Sequence, residues 1–172
     1  MKSDVVVTSA PVGTLNAILR RFFPRVIDNS WRGPKAALWL LGLLAAIKMA
    51  MGANSIFNGW VVLASADGVP LRTYPGAAAQ TIVAFFALWA LGQILLALLA
   101  TLALVRYRAM TPLLFALLLT EHLGRKLILQ FLPIVRIGNA PASAINAALL
   151  AMMVAGLLLS VWQRGGAQAQ KE

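Results

Sequence analysis

Cysteine is missing from this chain of 172 residues, acidic residues number only five, and histidine occurs once. The lack of thiols excludes disulfides, thiolate-held metals and cysteine nucleophiles. One histidine, His122, with no carboxylate cluster beside it, leaves no ligand set for a metal or haem within a single chain. No phosphate-binding glycine loop, zinc-protease helix or nucleophile elbow occurs. Neither a metal nor a cofactor is therefore expected. Charge of either sign is scarce, at 12% of residues, where a soluble domain carries about 25%.

What fills the chain instead is apolar sequence: 60% hydrophobic residues and a mean hydropathy of +0.81, against roughly 45–50% for soluble domains. The formal charge of +10 would point to nucleic acid in a soluble protein. Here the cations collect at the ends of apolar runs rather than along one face, so a nucleic-acid partner is not expected.

A helix needs about 20 mostly apolar residues to cross the roughly 30 Å hydrocarbon layer. Four runs qualify, at residues 36–54, 78–105, 109–134 and 143–162. The fold class expected is an all-α integral membrane protein, a four-transmembrane-helix bundle spanning residues 36–163. Residues 1–35 form a basic leader, 55–77 an outer loop and 164–172 a polar tail expected to be disordered. The leader is longer than the roughly 15–30 residues of a cleaved signal peptide, so the first run is read as a retained helix.

Lys and Arg in short connections set orientation. Lys2, Arg20, Arg21, Arg25, Arg32 and Lys35 precede the first run, Arg106 and Arg108 join the second to the third, and Arg164 and Lys171 follow the fourth. The opposite side holds only Arg72 and Arg136. Both termini are expected to be cytoplasmic and the location the inner (plasma) membrane. In residues 14–27, Leu15, Ile18, Leu19, Phe22 and Val26 form a stripe with Arg20, Arg21 and Arg25 off it, which reads either as an interfacial amphipathic helix or as a basic leader that only sets topology. Pro24 bends or ends any such helix.

The outer loop carries turn chemistry at Asp67-Gly68 and Pro75-Gly76, with interfacial aromatics at Trp60 and Tyr74. Residues 56–64 fit a short surface or partly inserted helix, and the loop either closes over the bundle's outer mouth or simply covers helix ends. Small residues recur every fourth position at Gly42, Ala46 and Ala50 and at Ala147, Ala151 and Ala155, a spacing that permits close helix approach within the bundle or between copies. Met49, Met51, Met152 and Met153 suit packing.

The sequence concentrates its chemistry in the third run, where Glu121, His122, Arg125 and Lys126 interrupt apolar sequence. Ionisable groups inside a span are costly and mark functional sites. At 1.5 Å per residue, Lys48 and Glu121 both lie roughly 18 Å from the cytoplasmic edge, so they are expected to pair. Positions 118, 121, 122, 125 and 129 share a face, with Gly124 leaving room beside it. Gln93 and Gln130 also need partners in lipid. Arg125 and Lys126 lie roughly 24–26 Å along the span, where they either snorkel to the interface or hold an anion.

These residues point to a non-enzymatic membrane protein that binds an anionic amphiphile, or serves as an accessory subunit of a membrane complex. Arg125, Lys126 and His122 are the ligand-binding residues and Lys48 with Glu121 the structural pair. Membrane lipids, a second copy or a larger complex are the partners in view. Two other readings stay open: a membrane-embedded enzyme on a lipid or isoprenoid with Glu121 and His122 as acid and base, and a proton-coupled carrier subunit titrating at Glu121. Orientation has a direct test. A tag fused to the C-terminus is expected to survive protease added outside spheroplasts, and its cleavage there overturns the assignment.

Overall fold

The computed structural model describes residues 27–31, 33–137 and 142–162, together with Phe22. The described chain is helical, with no strand among these residues. Four long helices carry it: α1 (Lys35–Phe57), α2 (Gly76–Arg106), α3 (Thr111–Phe131) and α4 (Ala142–Val161). The polar tail, and the amphipathic stretch 14–27 apart from Phe22 and Ile27, lie outside the described residues.

Prolines and glycines place the helix ends. Pro34 and Pro75 stand immediately before α1 and α2, where a missing N–H costs nothing because no intrahelical acceptor exists there. The third apolar run yields a shorter helix than 109–134. A tight turn at Arg108–Met110 delays its start, Pro112 sits in its first turn, and Pro133 ends it by disfavouring helical backbone at Leu132. The first run is longer than 36–54, because no breaker intervenes before Asn58-Gly59 and Ser55 is carried onto the buried face.

Three of these helices, α1, α2 and α4, are long and apolar enough to cross a membrane. The exception is α3, which contains Glu121, Arg125 and Lys126. Large apolar side chains point outward along the others, among them Trp39, Phe85, Leu88, Leu95, Leu98 and Leu102. Such a surface is costly in water and costs nothing against acyl chains, so burial of leucine cannot by itself choose the packing.

Close approach of small residues chooses it instead. α1 packs mainly on α2 and then on α4, and α3 packs mainly on α4. Along α2 the buried stripe is Ala90, Gln93, Ala97, Ala100 and Ala103. A Cβ on Gly52 of α1 would stand 2.6 Å from Ile94 and 3.2 Å from the Ala90 carbonyl oxygen, so glycine sets the α1–α2 separation there. On α4, Gly156 lies flat against the Phe115 ring of α3. The four-residue spacings seen in the sequence are mostly not the packed ones: Ala46, Ala50, Ala147, Ala151 and Ala155 are exposed. Gly124 likewise borders open space rather than a neighbouring helix.

The main core joins all four helices, through Leu41 and Leu44, Ala100 and Ala103, Leu114 and Phe115, and Leu149 and Met153. A second, smaller cluster forms where the connection between α1 and α2 folds back. After a helical turn at Gly59–Val61, a widened turn at Val62–Ala66 and a left-handed Gly68 (φ 70°), the buried Leu63, Val69 and Leu71 pack on Ile82, Val83 and Phe86 of α2. Only glycine adopts that φ without strain. The Ile137 N–H donates to the Gly68 carbonyl at 2.8 Å, tying the α3–α4 connection to this loop.

A Gly156→Ala variant is expected to lose about 1–3 kcal/mol of stability, because the Phe115 ring has no free volume into which to retreat. Gly124→Ala is expected to be neutral or mildly stabilising. Thermal unfolding in detergent compares the two, and equal melting temperatures would refute this account of the α3–α4 contact.

Candidate functional site

α1 supplies Lys48 from its buried stripe of Leu41, Leu44, Ala45, Gly52 and Ser55. The ammonium is 1% exposed, and its Nζ donates to Glu121 Oε2 of α3 at 2.8 Å. A buried ammonium without an acceptor is strongly destabilising, so this contact fixes the register of α1 against α3.

Glu121 has a second cationic neighbour one turn along α3, Arg125, whose Nη1 lies 4.0 Å from Oε1. Arg125 Nη2 stands 3.2 Å from His122 Nδ1. Arginine has only donors, so Nδ1 accepts and the imidazole proton belongs on Nε2. The guanidinium also lies over the Trp89 ring of α2, 4.9 Å from its centroid, a contact worth about 0.5–2 kcal/mol according to its desolvation. Trp89 is held in turn by Phe86, ring centroids 5.4 Å apart. Glu121, His122 and Trp89 thus fix Arg125 from three directions.

The sequence treats Arg125 and Lys126 as one cationic rim, and the structure separates them. Adjacent residues on a helix point about 100° apart. Arg125 turns into the bundle, while Lys126 is exposed and enters neither ion pair of the cluster. Gln130 is exposed as well. His122, 3% exposed, is buried beneath Arg125.

Arg125 lines a cavity of about 590 Å³, within the range typical of small-molecule sites, roughly 300–1,000 Å³. Glu121, His122 and Lys126 do not line it. Phe86, Trp89, Leu129 and Ile145 give it apolar walls, and the loop residues Val62, Leu63 and Val69 close one side. Its polar lining includes Asn54, Ser55, Asn58 and Gln93.

Two further charged residues reach the cavity from the connections, Asp67 and Arg136. Burial raises the Asp67 carboxyl above its ordinary value of 3.8, opposed first by the charge of Arg136 and then by that of Arg125. The formal balance of the lining is two arginines against this one acid. Sequence reasoning did not select Asp67, which reads as a turn residue before Gly68, or Arg136, which reads as an outer-side cation. The usable signal was Trp89 four residues before Gln93, which puts both on one face of α2.

No family model, curated protein or solved structure matches the chain. What defines it is its own architecture: an all-helical protein with three helices apolar enough to cross a membrane and a charged cluster on the remaining one.

Lys48→Met is expected to destabilise the protein by about 1–3 kcal/mol, less than a fully buried pair would cost, because the Glu121 left behind is partly exposed and keeps Arg125 at 4.0 Å. Adding Glu121→Gln is expected to recover part of that loss, so the two costs are far from additive. Unfolding of the four variants in detergent gives the coupling directly, and strictly additive costs would mean that the pair is not a unit.

Proposed function

We propose that this chain is a four-span inner-membrane protein, with both termini cytoplasmic, that binds an anionic amphiphile in the cavity beneath its outer loop. The observation that carries the reading is Arg125, a cation held by Glu121, His122 and Trp89 yet still open to an apolar cavity. A guanidinium so placed presents two parallel donors to a phosphate or carboxylate, and the walls of Phe86, Trp89, Leu129 and Ile145 suit an acyl or prenyl chain.

A fourth crossing by α3 is favoured by its length and connections. Its 21 residues extend about 31 Å. It begins beside the end of α2 and leads into the segment tied to Gly68 of the outer loop. Pairing of Lys48 with Glu121 lowers the cost of its charges in lipid. Lys35, Arg106 and Arg108 gather at one end of the described bundle and Arg72 and Arg136 at the other, a bias that supports cytoplasmic termini.

The burial of His122 and the engagement of Glu121 by Lys48 favour binding over acid–base catalysis, since a general acid or base must reach the reacting group. His122 acts here by orienting Arg125, and Lys126 anchors α3 at the interface by snorkelling.

Native mass spectrometry of the protein from gentle detergent is expected to retain a lipid-sized mass. Arg125→Gln is expected to lower its occupancy about tenfold or more, and Lys126→Gln to leave it unchanged. A folded Arg125→Gln protein with full occupancy would sink the proposal. A co-purifying protein in place of a lipid would replace it with the accessory-subunit reading.

A further inference from the structure

The polar residues of the cavity wall fall into two sets. Asn58 Nδ2 donates to Asn54 Oδ1 at 2.8 Å, and Ser65 Oγ donates to the Val61 carbonyl at 2.6 Å, so these are engaged within the wall. Gln93, Ser55 and Asn146 are not: none of their side chains hydrogen-bonds to a described residue, and of the three Gln93 and Ser55 are the enclosed ones, each 7% exposed, while Asn146 is half-buried. No fully enclosed side-chain nitrogen or oxygen among the described residues lacks a partner. The Gln93 amide and the Ser55 hydroxyl therefore open onto the cavity they line.

Their placement is specific. Gln93 lies one turn, about 6 Å, along α2 from Trp89, the residue beneath the Arg125 guanidinium. Ser55 lies three residues beyond Gly52, the point at which α1 touches Ala90 and Ile94. Both therefore flank the α1–α2 seam near the Arg125 end of the cavity. An unpartnered amide costs about 1–3 kcal/mol when desolvated, and an acyl chain offers it nothing. A hydroxyl suits it, because hydroxyl, amide and serine groups each donate and accept.

We propose that the amphiphile bound at Arg125 carries hydroxyls on its headgroup, as a polyol phosphodiester of the glycerol-phosphate class does. Arg125 takes the anionic oxygens, and Gln93 and Ser55 take the hydroxyls. This rests on the amphiphile reading above and adds the headgroup's chemistry to it. A monoanionic headgroup also fits the lining, in which two arginines face one acid, a formal balance of +1.

The test separates charge from hydroxyl recognition. Phosphatidylglycerol and phosphatidylethanol of identical acyl chains carry the same single charge and differ in headgroup hydroxyls. Each is titrated into the delipidated full-length protein in detergent and bound fractions are read by native mass spectrometry, with phosphatidylcholine as the neutral reference. Phosphatidylglycerol is expected to bind about tenfold tighter than phosphatidylethanol, two hydrogen bonds' worth. Gln93→Leu combined with Ser55→Ala is expected to abolish that preference, with phosphatidylethanol bound no more weakly than by the unaltered protein, because no buried amide is then left unpartnered. The near-isosteric Gln93→Met alone is expected to lose about threefold for phosphatidylglycerol. Equal binding of the two anionic lipids by the unaltered protein, or a preference that survives the double change, overturns the hydroxyl assignment and leaves the Arg125 reading standing. If neither anionic lipid outbinds phosphatidylcholine, both fall.

Discussion

The structure turns on one ammonium group. Lys48 is enclosed on α1 with Glu121 as its carboxylate partner, and in a bundle with three helices apolar enough to cross a membrane, that requirement discriminates among packings more sharply than apolar area does. It places α3 beside α1 at one axial position, and with α3 so placed Arg125 lands over Trp89 and His122 beneath it. The small residues Gly52, Ala90, Ala97 and Ala100 close the neighbouring α1–α2 seam, which holds Trp89 on the same side of the bundle.

The acid of the cluster is shared, and the sharing gives the site its polarity. Glu121 is committed to Lys48 at 2.8 Å and reaches Arg125 only at 4.0 Å. Arg125 is therefore held in position without being neutralised by a close carboxylate, and it lines the cavity. The loop between α1 and α2 completes the enclosure. Its Leu63, Val69 and Leu71 need α2 to cover them, which draws Asp67 to the cavity wall, and the bond from Ile137 to Gly68 brings the neighbouring Arg136 to the same rim.

Much of this was legible residue by residue. The apolar runs gave the long helices to within a few residues, because proline and glycine punctuate them at Pro34, Pro75, Pro112 and Pro133. The common depth of Lys48 and Glu121 followed from helical rise alone, and the structure brings those two residues into contact. Side-chain direction was less legible. Arg125 and Lys126 are neighbours in sequence and both are cations, yet 100° of helix rotation sends one into the cavity and the other outward. Gly124 and the alanines of α4 likewise had suitable spacing but the wrong face, since periodicity says which residues share a side and not which side meets a neighbour.

By itself the sequence determined the helices, their apolar character and the identity of the charged residues. All three are properties of local composition and of the period of the α-helix, which need no partner to be expressed. The cavity, the membership of Asp67 and Arg136, the burial of His122 beneath Arg125 and the orientation of Gln93 and Ser55 toward empty space were decided only in the folded chain. Each depends on contacts between segments many residues apart, and in an apolar surrounding those contacts are selected by close steric fit and by the pairing of Lys48 with Glu121, neither of which has a local signature.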